Sequence, residues 1–529
     1  MTKGKNVVRK KSKAVDAKEA VAPTARAEQL NIDDVCMGEG LMQNQEKITV
    51  TVEKKPSVLF VGSEATPFIK TGGLADVLGS LPISLAERDN YDIRVILPLY
   101  GGMEEGFKTH LTYLCNFNVP VGWRNQYCGL FYYKRKNVTF YFVDNEYYFK
   151  RENLYGYYDD GERFAFFSRA VLESLAHLDY YPDILHCHDW QSALSVVYLK
   201  TLYANRSGFD KIRSIFTIHN IEYQGKYPSN LLGELFGLPV EVLPRVDYDG
   251  CINLMKGAME FSDYVTTVSS TYAEEIKTPD YASGLQYAVN GCANKLCGIV
   301  NGIDVKAFDP ATDKSLFMNY SVDDLEGKRV CKRELQKMLS LPVRDDVPVI
   351  GMITRLVSHK GLDLIKSVFE ELLNEDVQIV ILGKGDAEYE NYFRYMADVY
   401  KGKVRAIIAY NKDMSSKIYS GSDMFLMPSK SEPCGLSQMI ACRYATVPIV
   451  RATGGLNDTI APFNIAREGG NGFVFSSYNA QEMLYVIKDA IFTYGNKPVW
   501  KGIMERSART DFSWGVSAIE YEKLYNALK

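Results

Sequence analysis

Short runs that are apolar throughout recur along this chain, each followed by polar or amphipathic sequence, and they fall into two series. The first comprises residues 58–61, 93–97, 139–143, 184–187, 215–218 and 265–268; the second comprises 349–353, 377–382, 404–409, 424–427 and 448–450. Runs without polar alternation suit strands buried on both faces, and strands separated by helical sequence pair in parallel. A polar connector near residues 309–346 separates the series. At 529 residues, 46% of them hydrophobic, the chain is too long for one core and has enough apolar sequence for two. The expected fold is α/β with two doubly wound, Rossmann-like domains. Residues 480–494 and 515–528 read as amphipathic helices, the latter with Val516, Ile519, Tyr521, Leu524 and Leu528 as its apolar set.

Composition narrows the function class. A net charge of −4 gives no reason to expect nucleic acid, while 12% aromatic residues, 36 of them Tyr, supply rings that can pack in cores or stack on sugars. The ten cysteines, at 36, 115, 128, 187, 251, 292, 297, 331, 434 and 442, lack the paired spacing of a zinc site and the density of a small secreted scaffold. They read as reduced thiols in a cytoplasm-like compartment. No apolar run is long enough to span a membrane, and the N-terminus has no signal-peptide core, so a soluble protein is expected. Residues 1–55 begin with Lys3, Lys5, Arg9, Lys10, Lys11 and Lys13 and continue without apolar periodicity. They read as a disordered, solvated extension; a plastid transit peptide is the alternative, opposed by scarce serine and by Asp16 and Glu19.

Two glycine pairs occupy matching places in the two series. Lys70-Thr71-Gly72-Gly73-Leu74-Ala75-Asp76 follows the first run through Ser63-Glu64-Ala65-Thr66-Pro67, and Thr453-Gly454-Gly455-Leu456-Asn457-Asp458-Thr459 follows the last. Paired glycines let backbone N–H groups approach an anion at a helix start, and Lys70 adds a mobile charge. Either pair alone is equally well a tight turn. Arg355 and Lys360 follow the run at 349–353 and are close enough in sequence to converge on one diphosphate, the arginine as a planar fork and the lysine as a point charge. Three of six histidines, His186, His188 and His219, end runs of the first series. A metal reading of His186-Cys187-His188-Asp189 is disfavoured, because Cys187 points away from its neighbours on a strand and no second ligand pair exists.

Asp183-Ile184-Leu185-His186-Cys187-His188-Asp189-Trp190, Thr217-Ile218-His219-Asn220, Asn301-Gly302-Ile303-Asp304, Arg355-Leu356-Val357-Ser358-His359-Lys360-Gly361 and Ser431-Glu432-Pro433-Cys434-Gly435-Leu436 complete the pattern. Together with the glycine pairs, in this order, they resemble the bacterial glycogen synthases and plant starch synthases, from about Val58 to the C-terminus. The resemblance implies the GT-B glycosyltransferase fold. It implies an N-terminal domain at 56–298, a donor-binding domain at 299–503, and a terminal helix, within 504–529, crossing back to the N-terminal domain. It places Asp189, His219, Arg355, Lys360 and Glu432 in the catalytic centre, with Glu432 near the 3-hydroxyl of the donor glucose. It places Lys70, Gly72, Gly73, Asp76, Asn301, Cys434, Gly435, Leu436, Thr453, Gly454 and Gly455 around the donor. Tyr155, Tyr157, Asp159 and Asn220 would line the acceptor side.

The implied reaction is transfer of glucose from ADP-glucose to the non-reducing 4-hydroxyl of an α-1,4-glucan with retention, with no metal or other cofactor; UDP-glucose is the alternative donor. No carboxylate is clearly suited to be a covalent nucleophile, so same-face departure is expected, with Arg355 and Lys360 meeting the leaving charge. The rivals are a GT-B transferase using a small acceptor and a catalytically silent glucan-binding protein. The small-acceptor relatives carry a second glutamate eight residues after the first; here that position is Ile440.

Overall fold

The structure, a computed structural model, describes residues 55–467 and 469–528. Apart from Lys55, the expected N-terminal extension lies outside the described residues.

Strands β1 (Ser57–Val61), β2 (Asp92–Pro98), β3 (Thr112–Val121), β4 (Arg124–Arg135), β5 (Val138–Asp144), β6 (Ile184–His188) and β7 (Arg213–Ile218) belong to the first large sheet. A small antiparallel sheet of β8 (Lys226–Pro228), β9 (Asp247–Tyr248) and β10 (Cys251–Asn253) is followed by β11 (Tyr264–Thr267) and β12 (Leu296–Gly298), which rejoin the large sheet. Its order is β12-β11-β7-β6-β1-β2-β5-β4-β3, parallel except for the β3-β4-β5 meander. The second sheet contains β13 (Val349–Ile353), β14 (Gln378–Leu382), β15 (Val404–Ile407), β16 (Met424–Met427), β17 (Val447–Arg451) and β18 (Phe473–Phe475) in the all-parallel order β15-β14-β13-β16-β17-β18. Strands β1, β6, β14 and β17 are buried along their whole length, as uniformly apolar runs require.

Each sheet has one point where strand order reverses, between β1 and β6 in the first and between β13 and β16 in the second. Loops leaving neighbouring strands diverge there, so a crevice opens at the carboxyl ends.

Three sequence expectations are corrected. The connector near 309–346 contains the helix Glu326–Met338, whose buried face carries two lysines and so hid its amphipathic period. Lys328 Nζ donates to the carbonyls of Ser420 (3.1 Å) and Tyr444 (2.9 Å) and to Thr446 Oγ1 (2.6 Å), while Lys332 Nζ pairs with Asp423 (2.8 Å). The C-terminal helix is Trp514–Ala527, and it buries Trp514, Ser517, Ala518, Tyr521, Leu524 and Tyr525. Val516 and Ile519 are exposed. The buried stripe is turned toward the large aromatics, whose burial removes more apolar area. Finally, the apolar runs did not mark β3 and β4, which are half solvated, or β8, β9, β10, β12 and β18, which are only two or three residues long.

Trp514–Ala527 packs on the first-domain helix Gly73–Glu87. Arg88 pairs with Glu522 (2.9 Å), and Tyr525 OH bonds His186 Nδ1 (2.9 Å).

Candidate active site

In the first domain, the loop after β1 and the turn after β6 leave the sheet at its reversal point. Asp189 sits at that turn with φ +55 and ψ 176, a conformation almost reserved for glycine. Such backbone costs about 1–3 kcal/mol and persists only where surrounding structure enforces it. The enforcing contacts are its own N–H to Thr217 O (3.0 Å) and its carboxylate Oδ1 accepting the His219 N–H (2.8 Å). Burial pushes the Asp189 carboxyl up to about 7, opposed by the amides of His219 and Asn220 and reinforced by the nearby Glu64. Asn220 Oδ1 accepts the Glu222 N–H (3.0 Å), closing the turn after His219.

His219 Nε2 lies 2.9 Å from His188 Nδ1. Burial drives His186 and His219 down to about 3 and His188 down as well, so all three imidazoles are neutral. His186 bridges Tyr525 OH and Thr217 Oγ1 (2.7 Å).

Glu64 shows in the sequence only as part of the turn Ser63-Glu64-Ala65-Thr66-Pro67. It is buried, and its Oε2 accepts from Thr71 Oγ1 (3.0 Å) and from the N–H groups of Thr71 and Gly72 (3.3 Å for Gly72). Desolvation raises its carboxyl, with those donors pulling the other way. The first glycine loop therefore already holds one carboxylate. Lys70 Nζ pairs with both oxygens of Asp76 at 2.7 Å. A Cβ at Gly73 would meet nothing within 4 Å, and one at Gly72 only Glu64 Oε1 at 3.8 Å, so packing does not demand these glycines and space remains beside them.

The second glycine pair has a different reason. Gly454 has φ +43, and a Cβ there would lie 2.0 Å from Glu432 O; one at Gly455 would lie 2.1 Å from Cys434 O. The pair lets Gly454–Thr459 back directly onto the Glu432-Pro433-Cys434 segment. Thr453 Oγ1 (2.8 Å) and the Gly454 N–H (3.1 Å) donate to Glu275 of the first domain. Thr271 binds Asp458 (2.6 Å), and Tyr281 OH accepts from Arg451 (3.0 Å), across the same junction. Thr453 and Gly454, expected around the donor, also contact the first domain, while the Gly455 N–H donates to the Glu432 carbonyl (3.2 Å). Glu275 carried no sequence signal, being one acid among many on a helix.

At the reversal point of the second sheet, Lys360 follows β13 and Glu432 follows β16. Lys360 Nζ donates to Glu432 Oε2 at 2.7 Å, and Ser429 Oγ donates to the same oxygen at 2.9 Å. Both side chains are mostly buried. Arg355 is exposed and, among the described residues, has no side-chain partner, so its guanidinium is available to an anion. Gly435 has φ +72, which turns the chain into the helix Ser437–Arg443 with Leu436 at its cap. Cys434 is buried and its thiol is pushed up to about 12, so it is no thiolate; the Asn301 N–H reaches its sulfur. Asn301 is itself buried, its Oδ1 without a partner among the described residues.

The acceptor-side candidates divide. Tyr155 OH meets Ser63 Oγ at 2.7 Å and feels the charges of Glu64 and Asp189, so it lies beside them. Tyr157 OH accepts the Asn153 N–H (2.9 Å), and Asp159 forms a two-pronged pair with Arg151 (2.9 and 2.6 Å). These two brace the loop before the helix Asp160–His177, a role that pairwise sequence reading cannot distinguish from sugar contact. Among the described residues no three His, Cys, Asp or Glu side chains are grouped to hold a metal ion, and no helix is long and apolar enough to cross a membrane.

Residues 57–291 match the starch synthase catalytic domain family, and residues 336–492 match the glycosyl transferases group 1 family. Glycogen synthase of Caldicellulosiruptor saccharolyticus is 49% identical over 475 residues, covering 89% of this chain and 99% of that protein. Glycogen synthase of Clostridium acetobutylicum is 50% identical over 473 residues, covering 88% and 99%. The catalytic domain of starch synthase IV from Arabidopsis thaliana, solved with ADP and acarbose bound, superposes with a TM-score of 0.82 at 35% identity, covering 90% of this chain and 99% of that one. Sucrose-phosphate synthase from Thermosynechococcus elongatus shares the fold alone, with a TM-score of 0.56 at 16% identity. With two doubly wound domains, site loops at both sheet reversals and relatives that match over nearly their whole length, this chain belongs to the glycogen and starch synthase family of GT-B glycosyltransferases.

Proposed function

We propose that the protein transfers glucose from ADP-glucose to the non-reducing 4-hydroxyl of an α-1,4-glucan with retention at the anomeric carbon. The observation that carries this reading is the Lys360–Glu432 pair beside the free Arg355, built where the second sheet reverses. Cleaving a sugar–diphosphate bond leaves negative charge on the departing oxygen, and preorganised cations lower that barrier. Lys360 and Arg355 meet the diphosphate, and Glu432, oriented by Lys360 and Ser429, accepts a hydrogen bond from the transferred glucose. Lys70 contributes a further cation once freed from Asp76, and the open space beside Gly72 and Gly73 admits the sugar. Asp189 and His219 hold the glucose from the first domain, while Tyr155 and Asn220 border the acceptor. The ADP in the Arabidopsis starch synthase supports the adenine nucleotide as donor.

Two features favour same-face departure over a covalent glycosyl-enzyme. Asp189 spends its carboxylate on backbone amides and is close to half protonated near neutrality; Glu432 is tied to Lys360 and Ser429. Neither is a free nucleophile. Deprotonation of the incoming 4-hydroxyl then falls to the leaving phosphate. The compartment that fits the unpaired thiols is a reducing, cytoplasm-like one.

The test is nucleoside diphosphate release from ADP-glucose and from UDP-glucose, with and without glycogen primer, for wild type and Glu432→Ala. Primer-dependent release from ADP-glucose, lost in the variant, is expected. Absence of primer-dependent release from either donor refutes the synthase reading, and a trapped glycosyl-enzyme on Glu432 or Asp189 refutes the same-face step.

A further inference from the structure

His188 is buried, stacks on His186 with ring centroids 4.3 Å apart, and lies nearly parallel to Phe60 at 5.6 Å. His186 cannot swing, because Tyr525 OH and Thr217 Oγ1 occupy both its nitrogens. The His188 ring is thus wedged, with Nδ1 at 2.9 Å from His219 Nε2 and with Nε2 buried and, among the described residues, unpartnered. A bond between two neutral imidazoles needs one N–H and one lone pair. If His219 donated, His188 would carry its own proton on Nε2, leaving a buried N–H without an acceptor. If His188 donates, the orphan is only a lone pair. Buried N–H groups without partners are the rarer and costlier case.

We infer that His188 is a positioning residue whose Nδ1–H holds His219 as the tautomer protonated at Nδ1, so that the half-buried His219 offers the transferred sugar a hydrogen-bond donor. The inference rests on the proposed placement of His219 beside the donor glucose. With Nε2 committed to His188, Nδ1 is the remaining polar atom of that ring, and as an N–H it can bind a sugar hydroxyl oxygen but cannot remove a proton. The residues and their order in the sheet supply this control: β6 and β7 are neighbours in register, with His188 opposite Thr217, which places the two imidazoles two residues apart along adjacent strand ends.

The direct test is nitrogen NMR of wild-type protein carrying labelled histidine, well above the ordinary histidine pKa of about 6.5. His219, assigned by loss of its signals in His219→Ala, should show a bare Nε2 and a protonated Nδ1; the reverse pattern overturns the inference. Steady-state kinetics supply a second arm. His188→Asn places an amide N–H near the lost Nδ1 and should keep kcat within about threefold, whereas His188→Phe keeps the stacking but no donor and should lower kcat about 10- to 30-fold with the glucan KM unchanged. Equal rates for the two variants refute it. A normal rate in His188→Phe with a dead His219→Ala overturns this inference alone; a normal rate in His219→Ala overturns the proposed placement as well. Should the phenylalanine variant fail to fold, the wild-type tautomer decides.

Discussion

Replacing Asp189 with asparagine should remove a pH dependence from the stability of the protein. In the folded state the carboxyl ionises near 7, against an ordinary value of 3.8. Between those values the folded chain holds a proton that the unfolded chain has released, so raising the pH across this window favours unfolding. The stabilising contribution is complete below about pH 4 and gone once the pH rises through 7. Three units correspond to about 4 kcal/mol, and because Asp189 keeps some contact with solvent, about 2 kcal/mol is the appropriate figure. Asparagine retains the acceptor for the His219 N–H but does not titrate. Thermal unfolding of wild type and Asp189→Asn, followed from about pH 5 to 8 at constant ionic strength, should therefore converge or cross, with wild type losing roughly 2–4 °C relative to the variant. The neighbouring imidazoles stay neutral in the folded chain but protonate in the unfolded one below about 6.5, so they give both proteins the same rise in stability with pH, and the difference between the two profiles isolates Asp189. Because Glu64 pushes the same carboxyl up, Glu64→Gln should shift the wild-type transition to lower pH. Parallel profiles for wild type and Asp189→Asn would refute the claim that this acid is held near neutrality.

Gly454→Ala would set a methyl group 2.0 Å from Glu432 O in a left-handed backbone, so kcat should fall at least tenfold, with circular dichroism unchanged, as Glu432 is pushed from Lys360. Glu275→Gln exchanges charge-assisted bonds to Thr453 and Gly454 for neutral ones and should cost about 1 kcal/mol at the domain junction, read as a lower denaturation midpoint or as faster amide exchange at Gly454. Lys328 is buried with its ammonium pulled down to about 7, so the folded state disfavours its proton and wild-type stability should rise with pH from about 7 to 10. Lys328→Met should show no such rise in urea titrations.

The family motifs were legible because each is local: a glycine pair after a strand, a lysine five residues beyond an arginine, a glutamate before a tight turn. Their partners were not. Glu64 lies seven residues from Thr71, yet nothing in that spacing says its carboxylate will fill the glycine loop. Glu275 reaches Gly454 from 179 positions away and Lys360 meets Glu432 from 72 away. The buried lysines of Glu326–Met338 masked a helix because a charged residue counts as solvated until its acceptors are known.

By itself the sequence determined the two-sheet α/β architecture, since uniformly apolar runs can be satisfied only by strands covered on both faces, and it determined which loops bear cations and acids. The tertiary structure alone decided what each of those groups faces. Sheet order places the β1 and β6 ends together and the β13 and β16 ends together. The second adjacency makes Lys360 a partner of Glu432, the pairing of β17 with β16 brings Gly454 between Glu432 and the first domain's Glu275, and the pairing of β7 with β6 sets His188 against His219. Pair energies and proton positions depend on distances between chain segments far apart in sequence, and those distances exist only once the strands have chosen their neighbours.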